Sequence, residues 1–310
     1  MKTATTAVCA EAAAPRLASA ARARVADYLE LTKPRIAVMV LFTVLIGAVL
    51  GSRDDIDVIA LVNVALGTLL VAGGASALNQ VVERANDACM RRTENRPLPS
   101  GRLQPVEALA FGVALAVLGE IYLLTTLPTP WAALVALGTL LSYVLVYTPL
   151  KRVTPLNTLV GAVPGALPPL IGWAAVRNSL DAEAVTLFLI IFLWQVPHFL
   201  AIAWIYRDDY ARGGFRMLPA VDPKGRLTGW NMVVYCLALI PASQLPFLAG
   251  RSGWFYAAGA LLLGLGFLAS TVPFVREASA SGARRVMRGS LLYLPAVLTL
   301  LLVDGLVRRF

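Results

Sequence analysis

The sequence predicts an all-α, polytopic membrane protein, and two observations support this: its composition and its long apolar runs. The 310 residues are 58% hydrophobic and 15% charged, whereas soluble domains are about 45–50% apolar and about 25% charged. The apolar residues stand in runs close to the ~20 residues that a helix needs to cross a bilayer. This composition argues against a soluble enzyme and a disordered chain, and three scattered cysteines predict neither a disulfide framework nor a zinc site.

Nine apolar stretches are predicted to cross the membrane as helices. In chain order they cover residues 36–51, 58–82, 106–127, 131–147, 156–176, 184–206, 228–249, 254–275 and 289–307. The first is short, but Thr32–Pro34 can start it, because proline fits the first turn of a helix. Most breaks between stretches carry proline, glycine or charge, as at residues 128–130.

The basic residues predict the orientation. If the N-terminus is cytoplasmic, 22 of the 27 Lys and Arg residues fall in cytoplasmic segments, as the positive-inside rule requires. The net charge of +9 is therefore assigned to membrane orientation and not to nucleic acid. Residues 1–30 lack the apolar core of a signal peptide. We expect them to form a flexible cytoplasmic tail, with a transit peptide as the alternative, and residues 31–310 to form one transmembrane domain.

The first long polar loop, residues 83–105, follows a row of oxygen-bearing side chains. Asn79, Glu83 and Asp87 are spaced four apart, which places them on one face of a helix. Oxygen ligands of this kind suit Mg²⁺, which binds through one or two carboxylates and substrate phosphate. Arginines at 91, 92 and 96 follow, and arginine suits a phosphate-bearing polyanion. The alternative is a solvated loop with ion pairs.

The second long polar loop, residues 207–227, carries a second acidic pair. Asp208 and Asp209 lie at the predicted inner end of a span, where they could complete a two-metal clamp on a diphosphate. The alternative is that they pair with Arg207 and Arg212 at the membrane surface, where such ion pairs contribute little.

A third polar group ends the fourth predicted span. Tyr143 and Tyr147 lie one helical turn apart and share a face, and Lys151 and Arg152 follow. The two basic residues could bind phosphate, and the rings could shield a carbocation by cation–π attraction. An aromatic belt with positive-inside charges is the equally weighted alternative.

Together these blocks resemble a known family. The residues that carry the resemblance are Leu31–Arg35, the Asn79, Glu83 and Asp87 row with Met90–Pro99, Tyr147–Arg152, Gly165–Trp173, Trp194–Phe199 and Asp209–Pro219. From about residue 28 to the end, the chain resembles the intramembrane aromatic prenyltransferases of the UbiA superfamily. More narrowly it is similar to the protohaem IX farnesyltransferase (haem O synthase) family.

The resemblance implies a fold and a reaction. It implies nine helices around a central, lipid-accessible cavity capped by the two polar loops, with Mg²⁺ as the cofactor. The reaction moves a farnesyl group from farnesyl diphosphate to a vinyl group of haem b, giving haem O. The expected location is a bacterial inner membrane, with the mitochondrial inner membrane left open. Haem A synthase or oxidase assembly factors are the expected protein partners, beside the lipid bilayer.

The resemblance also implies roles for individual residues. Asn79, Glu83, Asp87 and Asp209 would hold metal and diphosphate. The remaining expected site residues are Tyr147 as a catalytic group and Lys33, Arg92, Arg96, Lys151, Arg152, Gln195, His198, Asp208 and Arg212 as substrate contacts. Two departures weaken the pattern, because position 83 is Glu where many members have Asp, and Asp209 is followed four residues later by Gly213.

His198 is the only histidine and has two readings. A lone histidine in an apolar helix is usually a hydrogen-bonded core residue, while haem contact or proton transfer is the functional alternative. For the whole chain, the competing functions are prenyl transfer to a hydroxybenzoate, naphthoate or chlorin, transport through broken helices, and a structural membrane subunit.

Overall fold

The computed structural model describes residues 21–52 and 56–308, and over these residues the chain is helical and contains no strand. Nine of its helices are long and apolar enough to span a membrane, in agreement with the nine predicted spans. We label them α1 to α9 in chain order: Pro34–Gly51, Val58–Asp87, Pro105–Thr126, Trp131–Leu150, Asn157–Arg177, Ala182–Ile205, Arg226–Leu248, Trp254–Arg276 and Ala280–Val307. Two short helices, Arg207–Arg212 and Leu218–Val221, lie between α6 and α7.

Two helices are longer than the apolar pattern predicts. α2 continues to Asp87, beyond the predicted end at 82, and α9 begins at Ala280 instead of 289. Ser279 caps α9 by accepting a hydrogen bond from the Gly282 amide at 3.2 Å. Hydropathy misses both extensions because their residues are polar.

α4 contains a π-helical turn over Ser142–Tyr147. Both the backbone N–H and the Oγ1 of Thr148 donate to the carbonyl of Tyr143, the hydroxyl at 2.8 Å. Proline follows at position 149 and has no N–H to offer the preceding turn. π turns are rare in proteins, and those that occur often lie at functional sites. This turn therefore marks the C-terminal end of α4 as a candidate site region.

Close backbone contact joins α1 to α5. A Cβ atom at Gly172 would lie 1.8 Å from the Val44 carbonyl oxygen, and one at Gly47 would lie 2.0 Å from that of Pro169. Small residues permit such approach in membrane helices. α5 is also interrupted at Leu167, before two prolines, although a single span was predicted over 156–176.

The described part of the N-terminal segment is ordered against the first polar loop. Residues 21–31 are helical, and Asp27 and Glu30 both pair with Arg102, the latter at 3.0 Å. Arg24 pairs with Glu107 at 2.6 Å. Residues 1–20 of the predicted tail lie outside the described residues, and residues 21–30 form a helix that contacts the first polar loop. The division into residues 1–30 and 31–310 stays a prediction.

Candidate active site

A cavity of about 350 Å³ opens at the end of α2 and is lined by seven of the fourteen predicted site residues. It is lined by Lys33, Ile36, Asn79, Glu83, Asp87, Met90, Arg92, Arg96, Tyr143, Lys151, Tyr210 and Phe215. The lining combines amide and carboxylate oxygens, four cationic side chains and aromatic rings. Such a combination suits a small anionic group attached to an apolar body.

The oxygen row on α2 faces this cavity as the spacing predicts. Asn79, Glu83 and Asp87 are 1%, 4% and 1% exposed, so all three polar groups are removed from solvent. Burial of carboxylates is costly unless each charge is paired. The structure therefore confirms the shared face, while the roles of the three residues stay a prediction.

Each oxygen-bearing side chain has a cationic partner. Lys33 Nζ donates to Asn79 Oδ1 at 2.8 Å, and Lys151 Nζ donates to Glu83 Oε1 at 2.7 Å. Arg96 Nη1 donates to Asp87 Oδ2 at 2.7 Å. Positive groups thus lie against every oxygen donor, at places where a metal or a substrate could compete for them.

Asp87 keeps one buried carboxylate oxygen that the described residues leave without a partner. Asp87 Oδ1 is buried and has no hydrogen-bond partner among the described residues, which is a costly state for a charged acceptor. No group of three His, Cys, Asp or Glu side chains in the described part of the chain is placed to hold a metal by itself. The donor set nevertheless fits Mg²⁺, which accepts few carboxylates and completes its shell with phosphate and water.

Asn79 is oriented by a neighbouring helix. Its Nδ2 donates to Thr148 Oγ1 at 3.1 Å, and Thr148 is fully buried. Because the amide nitrogen is held by α4, the amide oxygen points to Lys33 and the cavity. The π turn that ends α4 therefore sets which end of the Asn79 amide faces the site.

The two lysines lie just outside the spans and are perturbed in opposite directions. Burial, with the charges of Arg96 and Lys151, lowers the pKa of Lys33 to about 7. Burial also acts to lower the pKa of Lys151, but Tyr147 and Glu83 outweigh it and the net shift is upward. Lys33 also has a left-handed backbone, φ 50°, a strained conformation that tends to occur at functional sites. Excess positive charge in the cavity thus favours an anionic ligand.

The two polar loops meet at this cavity. Asn86 Nδ2 donates to the Gly213 carbonyl at 2.5 Å, and Arg92 Nη2 donates to the Tyr210 hydroxyl at 3.1 Å. The sequence reasoning did not single out Tyr210 or Phe215 as site residues, although both line the cavity. Their position beside Asp209 was the available signal.

The second acidic pair is engaged elsewhere. Asp209 pairs with Arg212, and Asp208 is 87% exposed beside Arg207, with 3.6 Å between the charged atoms. Neither aspartate lines the cavity, so these contacts match the ion-pair alternative. Metal binding by Asp209 and substrate contact by Asp208 and Arg212 stay predictions.

The two tyrosines of α4 occupy different positions. Tyr143 lines the cavity, whereas Tyr147 lies beneath Lys151, whose Nζ is 4.5 Å from the ring centroid. Arg152, which the resemblance assigns to the diphosphate, is exposed and donates to the Val82 carbonyl at 2.8 Å. The structure therefore brings Lys151 to the site but does not bring Arg152 there.

Gln195 and His198 lie in helix packing, away from the cavity lining. Gln195 Nε2 donates to the carbonyls of Ile191 at 3.1 Å and Ala162 at 3.3 Å. His198 Nδ1 lies 2.7 Å from Ser290 Oγ, and its ring stacks on Trp194 with centroids 4.9 Å apart. These contacts match the core reading, and substrate contact by either residue stays a prediction.

Comparison with known proteins gives consistent matches. The UbiA prenyltransferase family matches residues 40–294. The chain is 48% identical over 289 residues to protoheme IX farnesyltransferase of Solibacter usitatus (strain Ellin6076), covering 90% of this chain and 98% of that protein. It is 46% identical over 278 residues to the protein of that name from Salinibacter ruber (strain DSM 13855 / M31), covering 90% and 98%.

Solved structures share the fold. A digeranylgeranylglyceryl phosphate synthase structure superposes with a TM-score of 0.77 at 20% identity, covering 92% of this chain and 99% of that one. A UbiA homolog from Archaeoglobus fulgidus bound to GPP and Mg²⁺ gives 0.66 at 14% identity, covering 91% and 98%. At these identities the likeness establishes the architecture alone.

Proposed function

The chain belongs to the UbiA prenyltransferase family, and we propose that it transfers a farnesyl group from farnesyl diphosphate to a vinyl group of protohaem IX, giving haem O and diphosphate. The observation that carries the proposal is the buried cavity that joins Asn79, Glu83 and Asp87 to four cationic side chains. The choice of donor and acceptor is supported by the relatives named protoheme IX farnesyltransferase, which match about 90% of the chain. We place this multi-pass membrane protein in the bacterial inner membrane with a cytoplasmic N-terminus.

Binding of the diphosphate follows from the charges of the lining. Lys33, Arg92, Arg96 and Lys151 would donate to its oxygens, since charge-assisted hydrogen bonds to phosphate are the strong ones. Asn79, Glu83 and Asp87 would hold Mg²⁺, with the unpartnered Asp87 Oδ1 as the donor already free for it. When bound, Mg²⁺ would supply positive charge against the diphosphate oxygens. Asp209 would join this set on release from Arg212.

Cleavage of the bond between the farnesyl C1 and the diphosphate oxygen leaves negative charge on the leaving group. Lys151 and Arg96 are already positioned in the cavity by Glu83 and Asp87, so they would stabilise that charge without reorganising. The rings of Tyr143 and Phe215 line the same cavity. They would shield the allylic cation by cation–π attraction, and burial would keep water away from it.

Bond formation needs no strong base. The vinyl group of the porphyrin would attack C1 with its π electrons, forming the new carbon–carbon bond and leaving a cation beside the porphyrin ring. Water would then add to that carbon and lose a proton, which gives the hydroxyl. In total, the vinyl group gains the farnesyl group and the hydroxyl of one water, and diphosphate and one proton are released.

The direct test is to incubate the purified full-length protein with haem b, farnesyl diphosphate and Mg²⁺ and to look for haem O by mass spectrometry. We expect haem O from the wild type and none when EDTA replaces Mg²⁺. A prenylated product with 4-hydroxybenzoate, and none with haem b, would show that the acceptor is an aromatic acid and not haem. No product with either acceptor would contradict the proposal.

Asp87→Asn tests the site itself, because it removes a buried charge without changing size. We expect turnover to fall at least ~100-fold, as with the loss of a main transition-state charge contact. Glu94→Gln, a carboxyl-to-amide change at an exposed position of the same loop, is the matched control and should retain wild-type turnover. Full activity of the Asp87→Asn variant would rule out the metal assignment.

A further inference from the structure

A second cavity, of about 720 Å³, lies at the end of the bundle opposite the candidate active site. Its lining comes from the C-terminal ends of α1, α5, α7 and α9 and from the N-terminal end of α6. Arg177 of this cavity ends α5, and about 30 Å of helix separates it from Asn157 at the other end. A small molecule bound here therefore does not meet the diphosphate. We call this space the outer cavity; its volume is typical of small-molecule sites.

Arg177 is a mostly buried cation that lacks hydrogen bonds. Its side chain is 11% exposed, and it makes no hydrogen bond to any described residue; its Nε is buried and unpartnered. The carboxylate paired with it is Asp181, at 3.9 Å, which is beyond hydrogen-bond distance. Asp181 also caps α6 by accepting from the Ala184 amide at 3.4 Å. A guanidinium has five N–H donors, so a buried one without hydrogen bonds is expected to have an acceptor from a ligand or water.

A second unpartnered donor stands beside it. Trp173 is 3% exposed, lines the same cavity, and its Nε1 finds no acceptor within the described part of the chain. The Arg177 guanidinium lies over this ring, 5.2 Å from its centroid. Two adjacent N–H donors without acceptors are rarely buried unless a water or ligand supplies the missing oxygens.

The rest of the lining shows what such a ligand would look like. Glu183 is bonded to Arg251 at the rim at 2.7 Å, so it is not available to Arg177. The remaining wall is largely apolar and is formed by Leu50, Leu187, Pro246 and Leu301. A cationic head site above an apolar wall fits an amphiphile with a negatively charged head.

We propose that the outer cavity binds the phosphate of an anionic phospholipid, with the Arg177 guanidinium and Trp173 Nε1 donating to phosphate oxygens. The planar fork of arginine matches phosphate in a bidentate arrangement. The cavity lies where five spanning helices end, which is the depth of lipid head groups in a bilayer. The acyl chains would lie along the wall that contains Leu187 and Leu301.

The test measures lipid retention by native mass spectrometry on the full-length protein in phosphatidylcholine nanodiscs doped with phosphatidylglycerol. We expect the wild type to retain one phosphatidylglycerol, and Arg177→Gln to need about tenfold more of it for the same retention. Trp173→Phe should weaken retention in the same direction. Arg308→Gln is the matched control, because Arg308 directly follows the end of α9 on this side but pairs with Asp304 at 3.5 Å.

Two results would overturn the proposal. One is equal phosphatidylglycerol retention by the wild type and by both variants of the outer cavity. The other is displacement of the bound lipid by haem b in the wild type but not in Arg177→Gln, which would make the ligand a porphyrin carboxylate. If Arg177→Gln fails to fold, Trp173→Phe alone decides, since it keeps an aromatic ring at this position and removes the N–H donor.

Discussion

At the residue scale, the candidate active site pairs each oxygen-bearing side chain of α2 with a cationic side chain. Asn79, Glu83 and Asp87 each have a cationic partner, and Asp87 Oδ1 is a buried oxygen without a partner among the described residues. Ion pairs buried in this way hold both partners in place before a ligand arrives. Binding of a diphosphate and a divalent cation would therefore exchange partners among groups that are already positioned, which is the condition for efficient electrostatic catalysis.

Lys151→Gln should separate the contribution of the lysine from that of the arginines. Lys151 Nζ contacts Glu83 and the Tyr147 ring and lines the cavity. Its loss removes a donor to the leaving group, so we expect kcat/KM for farnesyl diphosphate to fall about 10²-fold. Lys224→Gln, the same change at an exposed lysine, should leave kcat/KM unchanged. Equal kcat/KM in both variants would show that Lys151 does not contribute to the reaction.

Thr148 is expected to act as a positioning residue for Asn79. Thr148→Val keeps the shape but removes the acceptor for Asn79 Nδ2, so the Asn79 amide can turn its oxygen away from the cavity. We expect the Mg²⁺ concentration for half-maximal farnesyl transfer to rise about tenfold, as for other outer contacts of metal ligands. Thr148→Ser should restore it. A loss of rate in Thr148→Val at unchanged Mg²⁺ dependence would contradict this role.

Single residues also show where sequence reasoning succeeds and where it stops. The four-residue spacing predicts the shared face of Asn79, Glu83 and Asp87 because helical periodicity dictates it. Sequence reasoning offers the pairing of Asp209 with Arg212 only as an alternative to metal binding, and it does not predict that Tyr210 enters the cavity. Those outcomes depend on the path of a loop that is joined to the first loop by the contact between Asn86 and Gly213.

At the element scale, apolar periods predict which segments cross the membrane but not how they end. All nine predicted spans have a helix in the structure. The extension of α2 to Asp87, the π turn of α4 and the break in α5 arise from polar pairing and from proline. Hydropathy measures only how apolar a segment is, so it cannot predict these effects. The extension of α2 and the π turn of α4 also bring polar side chains to the candidate active site.

Gly172→Ala should test the backbone contact between α1 and α5. The new Cβ would meet the Val44 carbonyl oxygen at 1.8 Å, so the helices must separate. We expect the free energy of unfolding to fall by about 1–3 kcal/mol, measured as a lower midpoint of thermal unfolding in detergent. Gly138→Ala in α4 is the control, since nothing lies within 4 Å of a Cβ there, and its midpoint should stay level or rise. A stable Gly172→Ala variant would contradict the contact.

At the scale of the whole molecule, the bundle has two polar ends with different chemistry. The end with the candidate active site carries several cations against oxygen donors, whereas the outer cavity holds one guanidinium without hydrogen bonds. An apolar interior lies between them, and large apolar side chains cover the exterior of the helices. Such a molecule suits a reaction in which a charged head is held at one membrane face while its apolar tail stays in the bilayer interior.

The orientation of the two ends in the membrane follows from charge and can be measured directly. Cys89 is exposed in the first polar loop, on the side that the distribution of 22 of 27 basic residues assigns to the cytoplasm. With Cys9 and Cys236 replaced by serine, a membrane-impermeant maleimide should label Cys89 in inverted vesicles and leave it unlabelled in intact cells. Leu180→Cys, with Cys89 also replaced by serine, lies between α5 and α6 at a position that is 41% exposed and should show the opposite pattern. Labelling of Cys89 from outside the cell would reverse the topology and place diphosphate binding on the wrong face for a cytoplasmic substrate.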